Sequence, residues 1–148
     1  MTRDPRLVMS AAAAVVFLAG CGGSPITAQR IEAAVAPTFA NLVHLQVPAM
    51  GLPAMPPAEF AATASCRKVG APGAPSTHAG SGDWICAIGW RGPGQRPLRD
   101  VYDLFVMTDG CYTATVEGES LAKPVLTTKD GRDVRNLLYV FEGCFDTT

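Results

Sequence analysis

Four cysteines carry the clearest chemical information in this chain: Cys66, Cys86, Cys111 and Cys144. Zinc sites use closely spaced pairs such as C-x-x-C, or cysteines mixed with histidines, and thioredoxin-like redox pairs also use C-x-x-C. The spacings here are 20, 25 and 33 residues, so we expect no metal site and no cofactor. An even number of widely spaced cysteines instead favours disulfide bonds in a protein outside the cytoplasm.

Four cysteines allow three connectivities, and the sequence alone does not select one of them. We predict the two sequential, non-crossing pairs, Cys66 with Cys86 and Cys111 with Cys144. In the chain-entropy model, closing loops of these lengths stabilises a fold by about 3 to 4 kcal/mol each.

A serine nucleophile would need a base, an orienting carboxylate and a turn such as G-x-S-x-G. Ser81 has His78 and Asp83 nearby in sequence, but the G-x-S-x-G spacing is absent. A flexible loop of serine and glycine explains these residues without chemistry.

Pairs of carboxylates could also act together as acid and base. Asp100 and Asp103 face opposite sides of a strand by parity, and Asp130 and Asp133 flank a turn glycine. The stretch 130–136 lacks the oxygen-ligand periodicity of a calcium loop. We therefore predict no catalytic residues and do not expect an enzyme.

Trp84 and Trp90 share one face of a predicted strand with Cys86. We interpret both as core residues or as a lid over the first disulfide. The alternative is that one of them is exposed as a binding surface, because tryptophan is favoured in recognition sites.

The N-terminus has the pattern of an export signal. Arg3 and Arg6 precede an uncharged stretch, Leu7 to Ala19, that is apolar apart from Ser10. This is a positive region followed by an apolar region of secretory length, and it is too short to span a bilayer.

The stretch ends in Leu18-Ala19-Gly20-Cys21, which resembles the lipobox of bacterial lipoproteins. The resemblance implies cleavage before Cys21, a diacylglyceryl group on its sulfur, and attachment to the extracytoplasmic face of the cell membrane. Two or more acyl chains anchor a protein stably, whereas one does not. The alternative is an ordinary secretory signal cut near Ala19, which would leave Cys21 as an odd thiol.

An amphipathic helix is predicted over residues 26–45, with Ile31, Val35 and Phe39 in its apolar stripe. Pro37 predicts a kink, or two short helices that meet near Ala36. Proline and glycine make most of residues 47–82 irregular, with a helical turn possible only over 58–64.

Four strands are predicted near 84–90, 100–108, 111–117 and 136–143. A two-residue type I′ turn at Asp109-Gly110 would pair Val106 with Thr113. The core face would then contain Val101, Phe105, Met107, Tyr112, Ala114 and Val116. Placing Cys144 opposite Cys111 puts Phe141 across from Ala114 and Tyr139 across from Val116, and residues 125–131 are predicted to form a small extra hairpin.

The predicted architecture is α+β: an N-terminal helical segment packed on a four-stranded antiparallel meander with two disulfides. Residues 1–20 would be the signal peptide, 21–25 the lipid tether, 26–82 the helical and irregular region, and 83–148 the sheet. The pattern of cysteines, with Asp83-Trp84-Ile85-Cys86 and Asp109-Gly110-Cys111-Tyr112, resembles small envelope lipoproteins of high-GC Gram-positive bacteria.

The 148 residues carry a net charge of −1 and are 17% charged, which argues against nucleic-acid binding because that requires clustered Lys and Arg. We therefore predict a non-catalytic interaction module of the cell envelope, attached to the membrane by lipid on Cys21, with an envelope protein or polymer as partner. The alternative is a small hydrolase or carrier with a pocket between the helix and the sheet.

Overall fold

The computed structural model describes residues 25–70, 79–118 and 121–148. One long helix packs across a five-stranded antiparallel sheet. The predicted α+β class and both predicted disulfides are confirmed, whereas the sheet has five strands rather than four. The predicted signal peptide and nearly all of the tether lie outside the described residues.

The helix, α1, runs over Ala28–Ala49. The Thr27 hydroxyl caps it by accepting a hydrogen bond from the backbone N–H of Arg30, which satisfies one of the unpaired donors at a helix start. Its apolar stripe is buried against the sheet. The helix is thus four residues longer at its C-terminal end than predicted.

Of the two outcomes predicted at Pro37, two separate short helices are excluded, because α1 is a single helix through this residue. Proline cannot donate to the carbonyl four residues earlier, which here belongs to Ala33. Both Pro37 and Ala33 lie on the exposed side, so this carbonyl can bond to water. Val35 and Phe39, buried on the other side, hold both neighbouring turns against the sheet.

The strand order of the main sheet is β1-β2-β3-β4-β7, and a separate two-stranded hairpin, β5-β6, lies in the connection before β7. The small hairpin is therefore confirmed. The strands are β1 Thr63–Lys68, β2 Gly82–Arg91, β3 Pro97–Val106, β4 Cys111–Glu117, β5 Val125–Thr127, β6 Asp133–Arg135 and β7 Val140–Cys144.

Strand β1 was not predicted. The helical turn expected over 58–64 is a short 3₁₀ turn, Pro57–Phe60, and the strand follows it. Its only buried residue is Cys66, so it lacks the alternation of bulky buried residues that identifies a strand. The disulfide to Cys86 holds it, and the Cys66 N–H donates to the Glu32 carboxylate on α1 at 2.7 Å. This edge strand therefore forms because of tertiary contacts rather than because of its own sequence pattern.

The predicted register of the β3–β4 hairpin is wrong by one residue, because the loop has three residues instead of two. The Met107 N–H donates to the Cys111 carbonyl at 2.8 Å, and the Gly110 N–H donates to the Met107 carbonyl at 3.1 Å. Gly110 has a φ of 86°. This is a type I turn followed by a left-handed residue, the usual three-residue hairpin loop.

The shifted register pairs Val106 with Tyr112 and Leu104 with Ala114. A shift by one residue exchanges the two faces of a strand. The β4 half of the predicted core face, Tyr112, Ala114 and Val116, is buried as expected. On β3 the prediction is reversed: the buried residues are Tyr102, Leu104 and Val106, whereas Phe105 and Met107 are exposed and Val101 is half-buried.

The predicted register of β7 is confirmed. Cys144 lies opposite Cys111, and Phe141 lies opposite Ala114. The Val116 N–H donates to the Tyr139 carbonyl at 3.1 Å, just beyond the paired strand.

Residues 136–138 join the helix, the sheet and the β5–β6 connection. The Asn136 side-chain amide donates to the carbonyls of Leu121 and Lys123 at 3.0 and 2.9 Å. The side-chain amide oxygen of Gln46, on α1, accepts from the Leu137 N–H at 2.7 Å. The buried Tyr102 hydroxyl donates to the Leu138 carbonyl at 2.8 Å, which fixes the start of β7 against both layers.

Candidate functional site

We call the face of the sheet that packs against α1 the covered face, and the face that points away from α1 the open face. Alternate residues of every strand belong to alternate faces, so residues 84, 86, 88 and 90 of β2 are buried while Asp83 is exposed and Ile85, Ala87 and Gly89 are only partly buried.

The space between α1 and the covered face is filled by aromatic rings. The Phe39 ring lies 5.4 Å from that of Trp90 and 6.0 Å from that of Tyr102, both in edge-on contact. Phe141 contacts Tyr102 and Tyr112 in the same way. This packing does not favour a hydrolase or carrier with a pocket between helix and sheet.

Both tryptophans are in this core. Trp84 is 1% exposed and Trp90 is 9% exposed. The indole N–H of Trp84 donates to the Gly80 carbonyl at 3.1 Å, and that of Trp90 donates to the Asp100 carboxylate at 2.8 Å. The arrangement matches the core interpretation, and neither ring offers a face for stacking a ligand.

The two disulfides lie on opposite faces. Cys66 and Cys86 are buried on the covered face, whereas Cys144 is exposed and Cys111 is half-buried on the open face. Each bond joins residues directly opposite each other in an antiparallel pair, with Cα atoms 4.1 and 3.9 Å apart. Such close approach is typical of pairs that exchange no backbone hydrogen bonds.

The first pair of candidate carboxylates is separated by the sheet. Asp100 is buried on the covered face and Asp103 is exposed on the open face, as parity predicts. Asp130 forms an ion pair with Arg132, and the hydrogen bond from Thr128 lowers the pKa of Asp130, with Arg132 adding to the effect. Ser81 and Asp83 are described, but His78 and Cys21 lie outside the described residues.

The open face carries a depression of about 460 Å³. Antiparallel pairing places Asp83 beside Phe105 and Ile85 beside Asp103, so apolar and acidic side chains alternate across it. Phe105 is 56% exposed. The open-face residues that line this depression are Val69, Asp83, Ile85, Asp103, Phe105, Thr113 and Thr115.

A second depression of about 290 Å³ adjoins the first and shares Ile85 with it. It contains two arginines, Arg67 from β1 and Arg99 from β3, together with Val101. Together the two depressions give the open face an acidic part and a basic part.

The acidic part holds two carboxyl groups in contact. A hydrogen bond with Asp103, together with the charge of Asp103, raises the pKa of Glu117, while Arg67 acts in the opposite direction. Two carboxylates so close repel each other unless they share a proton or a cation. This position therefore favours a positive group, and Arg67 already supplies part of that charge.

This surface was not found from the sequence. The assumed two-residue turn assigned Phe105 to the core. The exposed side of β3, which carries Asp103 and Phe105, was therefore not recognised as a surface. The Asp109-Gly110 pair fits a three-residue loop as well as a two-residue one, so it does not by itself indicate which face of β3 is exposed.

No family model, curated protein or solved structure matches this chain. Across residues 25–70, 79–118 and 121–148, no three His, Cys, Asp or Glu side chains are grouped so that they could hold a metal ion. The described part of the chain contains no helix with the length and apolar character needed to cross a membrane.

Proposed function

We propose that this protein is an extracytoplasmic lipoprotein that binds an envelope partner through the open face of its sheet and performs no catalysis. The observation that carries the binding function is the open face itself, which in the described part of the chain has an exposed Phe105 and a depression that continues into a second one. Exposed apolar patches rimmed by polar residues commonly mark interaction sites.

The scaffold behind this face supports such a role. One disulfide joins β1 to β2 and the other joins β4 to β7. The aromatic core under α1 stabilises the same sheet. Binding residues placed on strands of a rigid sheet are held in one arrangement, so little order must be imposed when a partner docks.

The membrane location rests on the sequence. Leu18-Ala19-Gly20-Cys21 resembles a lipobox, and disulfides are typical of compartments outside the cytoplasm. A Cys21→Ala variant should lose incorporation of labelled fatty acid and should leave the membrane fraction. Unchanged membrane retention without a lipid would contradict the anchor.

Site-specific photocrosslinking in cells tests the binding face. A photoreactive residue at Phe105 should capture one defined partner, whereas the same residue at Leu45 should not. Leu45 is a suitable control because it is 58% exposed on α1, which lies on the other side of the molecule. Equal capture at both positions, or none at Phe105, would refute the proposed face.

A further inference from the structure

We infer that the open face binds an extended polypeptide segment in which a basic, an apolar and an acidic side chain occupy alternate positions. This inference rests on the proposed function, because it names the partner chemistry of the same surface. The order of side chains along β3 supports it.

The open-face residues of β3 follow a fixed sequence of chemistry. Arg99, Val101 and Asp103 are two residues apart and point to the same side, so they are spaced by about 6 to 7 Å. An extended segment laid along β3 has the same repeat, since its alternate side chains also point to one side. Its acidic, apolar and basic groups would therefore meet Arg99, Val101 and Asp103 in turn.

Neighbouring strands reinforce the acidic end of this pattern. Asp83 lines the depression that contains Asp103, and Glu117 contacts Asp103. Arg67 lines the depression that contains Arg99, but the strand register places it in the same cross-strand row as Asp103, with Ile85 between them. A lysine or arginine of the segment would lie among three carboxyl groups and relieve the repulsion between two of them, while its acidic residue would lie near Arg99.

The shape of the surface favours a polypeptide over a small molecule. Small-molecule sites are enclosed clefts that bury most of their ligand, whereas here the wall residue Phe105 remains more than half exposed. The acidic groups also disfavour an anionic lipid surface. A polypeptide can cover both depressions at once, since together they extend over β1 to β4.

The test uses the full-length protein in a nonionic detergent and a fluorescent peptide, Ser-Lys-Ser-Leu-Ser-Glu-Ser, with blocked ends. Fluorescence anisotropy should show binding that is about tenfold tighter than for the peptides with Lys changed to Glu or Glu changed to Lys, because each change replaces an attraction by a repulsion. Replacing Leu by Ser should also weaken binding.

Charge reversal on the protein should change this preference in a defined way. Asp103→Lys should weaken the mixed peptide about tenfold and favour the peptide with two Glu, whereas Arg99→Glu should favour the peptide with two Lys. Glu59→Lys changes the net charge as Asp103→Lys does, but it lies in the Pro57–Phe60 turn, and it should leave all affinities unchanged.

Three results would overturn the inference: equal affinity for all the peptides, no binding of the mixed peptide, or the same response to Glu59→Lys as to Asp103→Lys. Photocrosslinking at Phe105 separates this failure from failure of the proposed function. Capture of a partner without the peptide preference means that the face binds something else, for example a neutral polymer. Failure of both experiments means that the face is not a binding site.

Discussion

The two faces of this sheet are built from alternate residues of the same strands, yet they differ in almost every physical property. The covered face is a continuous aromatic and aliphatic core that includes Trp84, Ile88 and Phe141. The open face mixes exposed apolar side chains with both signs of charge. One strand therefore supplies stability through one set of residues and the proposed binding surface through the other, so substitutions on the two faces should have separate effects.

The largest expected difference concerns the disulfides. In the chain-entropy model the bonds differ by only about 0.4 kcal/mol in favour of the longer Cys111–Cys144 loop. Removing Cys66–Cys86 by alanine substitution also deletes two buried sulfur atoms under α1, which adds about 1 to 2 kcal/mol. Urea denaturation should give a total loss of about 5 kcal/mol for Cys66→Ala with Cys86→Ala.

The matched variant, Cys111→Ala with Cys144→Ala, should lose about 3 to 4 kcal/mol, since its sulfur atoms lie on the less buried open face. A larger loss for this pair than for the covered pair would show that packing around the disulfide is not the deciding contribution.

Two phenylalanines provide the next comparison. Phe39 is fully buried at the centre of the aromatic cluster, and Phe39→Ala should reduce the free energy of unfolding by about 4 kcal/mol. Phe105→Ala should change it by less than about 0.5 kcal/mol while abolishing partner capture by a photoreactive residue placed at Thr113, which lies opposite Phe105 on the open face. Calorimetry together with crosslinking measures both effects, and a strong destabilisation by Phe105→Ala would remove the distinction between the faces.

Two glycines test the same distinction at smaller scale. A Cβ at Gly143, on the covered face, would lie 2.6 Å from Cζ of the Tyr112 ring. Gly143→Ala should therefore cost about 1 to 3 kcal/mol through overpacking. A Cβ at Gly89, on the open face, would meet only the Thr63 hydroxyl at 3.3 Å, so Gly89→Ala should stay within about 0.5 kcal/mol. Thermal denaturation of both variants measures the two losses of stability. Equal losses for Gly143→Ala and Gly89→Ala would contradict the difference between the faces.

The smallest expected effect is a pH dependence on the open face. Asp103 raises the pKa of Glu117 above its ordinary value of 4.5, so the folded state binds more protons than the unfolded state just above pH 4.5. Stability from this group is present below that pH and decreases as pH rises through the raised pKa. Glu117→Gln should therefore be slightly more stable than the unsubstituted protein at pH 7, and the difference should vanish near pH 4. Melting temperatures across this range measure it, and a constant difference would contradict the carboxyl contact.

The sequence predicted the features that depend on strong local or covalent constraints. Alternation along Trp84 to Trp90 identified β2, and the helical stripe through Phe39 identified α1. The prediction that Cys111 pairs with Cys144 placed Phe141 correctly, because a disulfide between directly opposed residues determines the register of two strands.

The features it missed depend on contacts that are distant in sequence or on one turn. Strand β1 is held by Glu32 and Cys86 rather than by its own propensity. Pro37 is tolerated because the carbonyl it leaves unpaired faces outward. The open face was misassigned because one extra residue in the loop at Asp109-Gly110 moved Phe105 to the other side, and no local pattern distinguishes the two loop lengths there.

The helix start and the residues after β7 meet at one end of the sheet, where the Arg30 guanidinium donates to the Asp146 carbonyl at 2.6 Å and the Gly80 N–H donates to the Ile26 carbonyl at 2.8 Å. With the proposed lipid on Cys21, this end lies within about 18 Å of the bilayer. The ten-residue strands β2 and β3 extend about 33 Å from this end. The tethered end of the open face therefore stays near the lipid, whereas its other end is free to reach farther into the envelope.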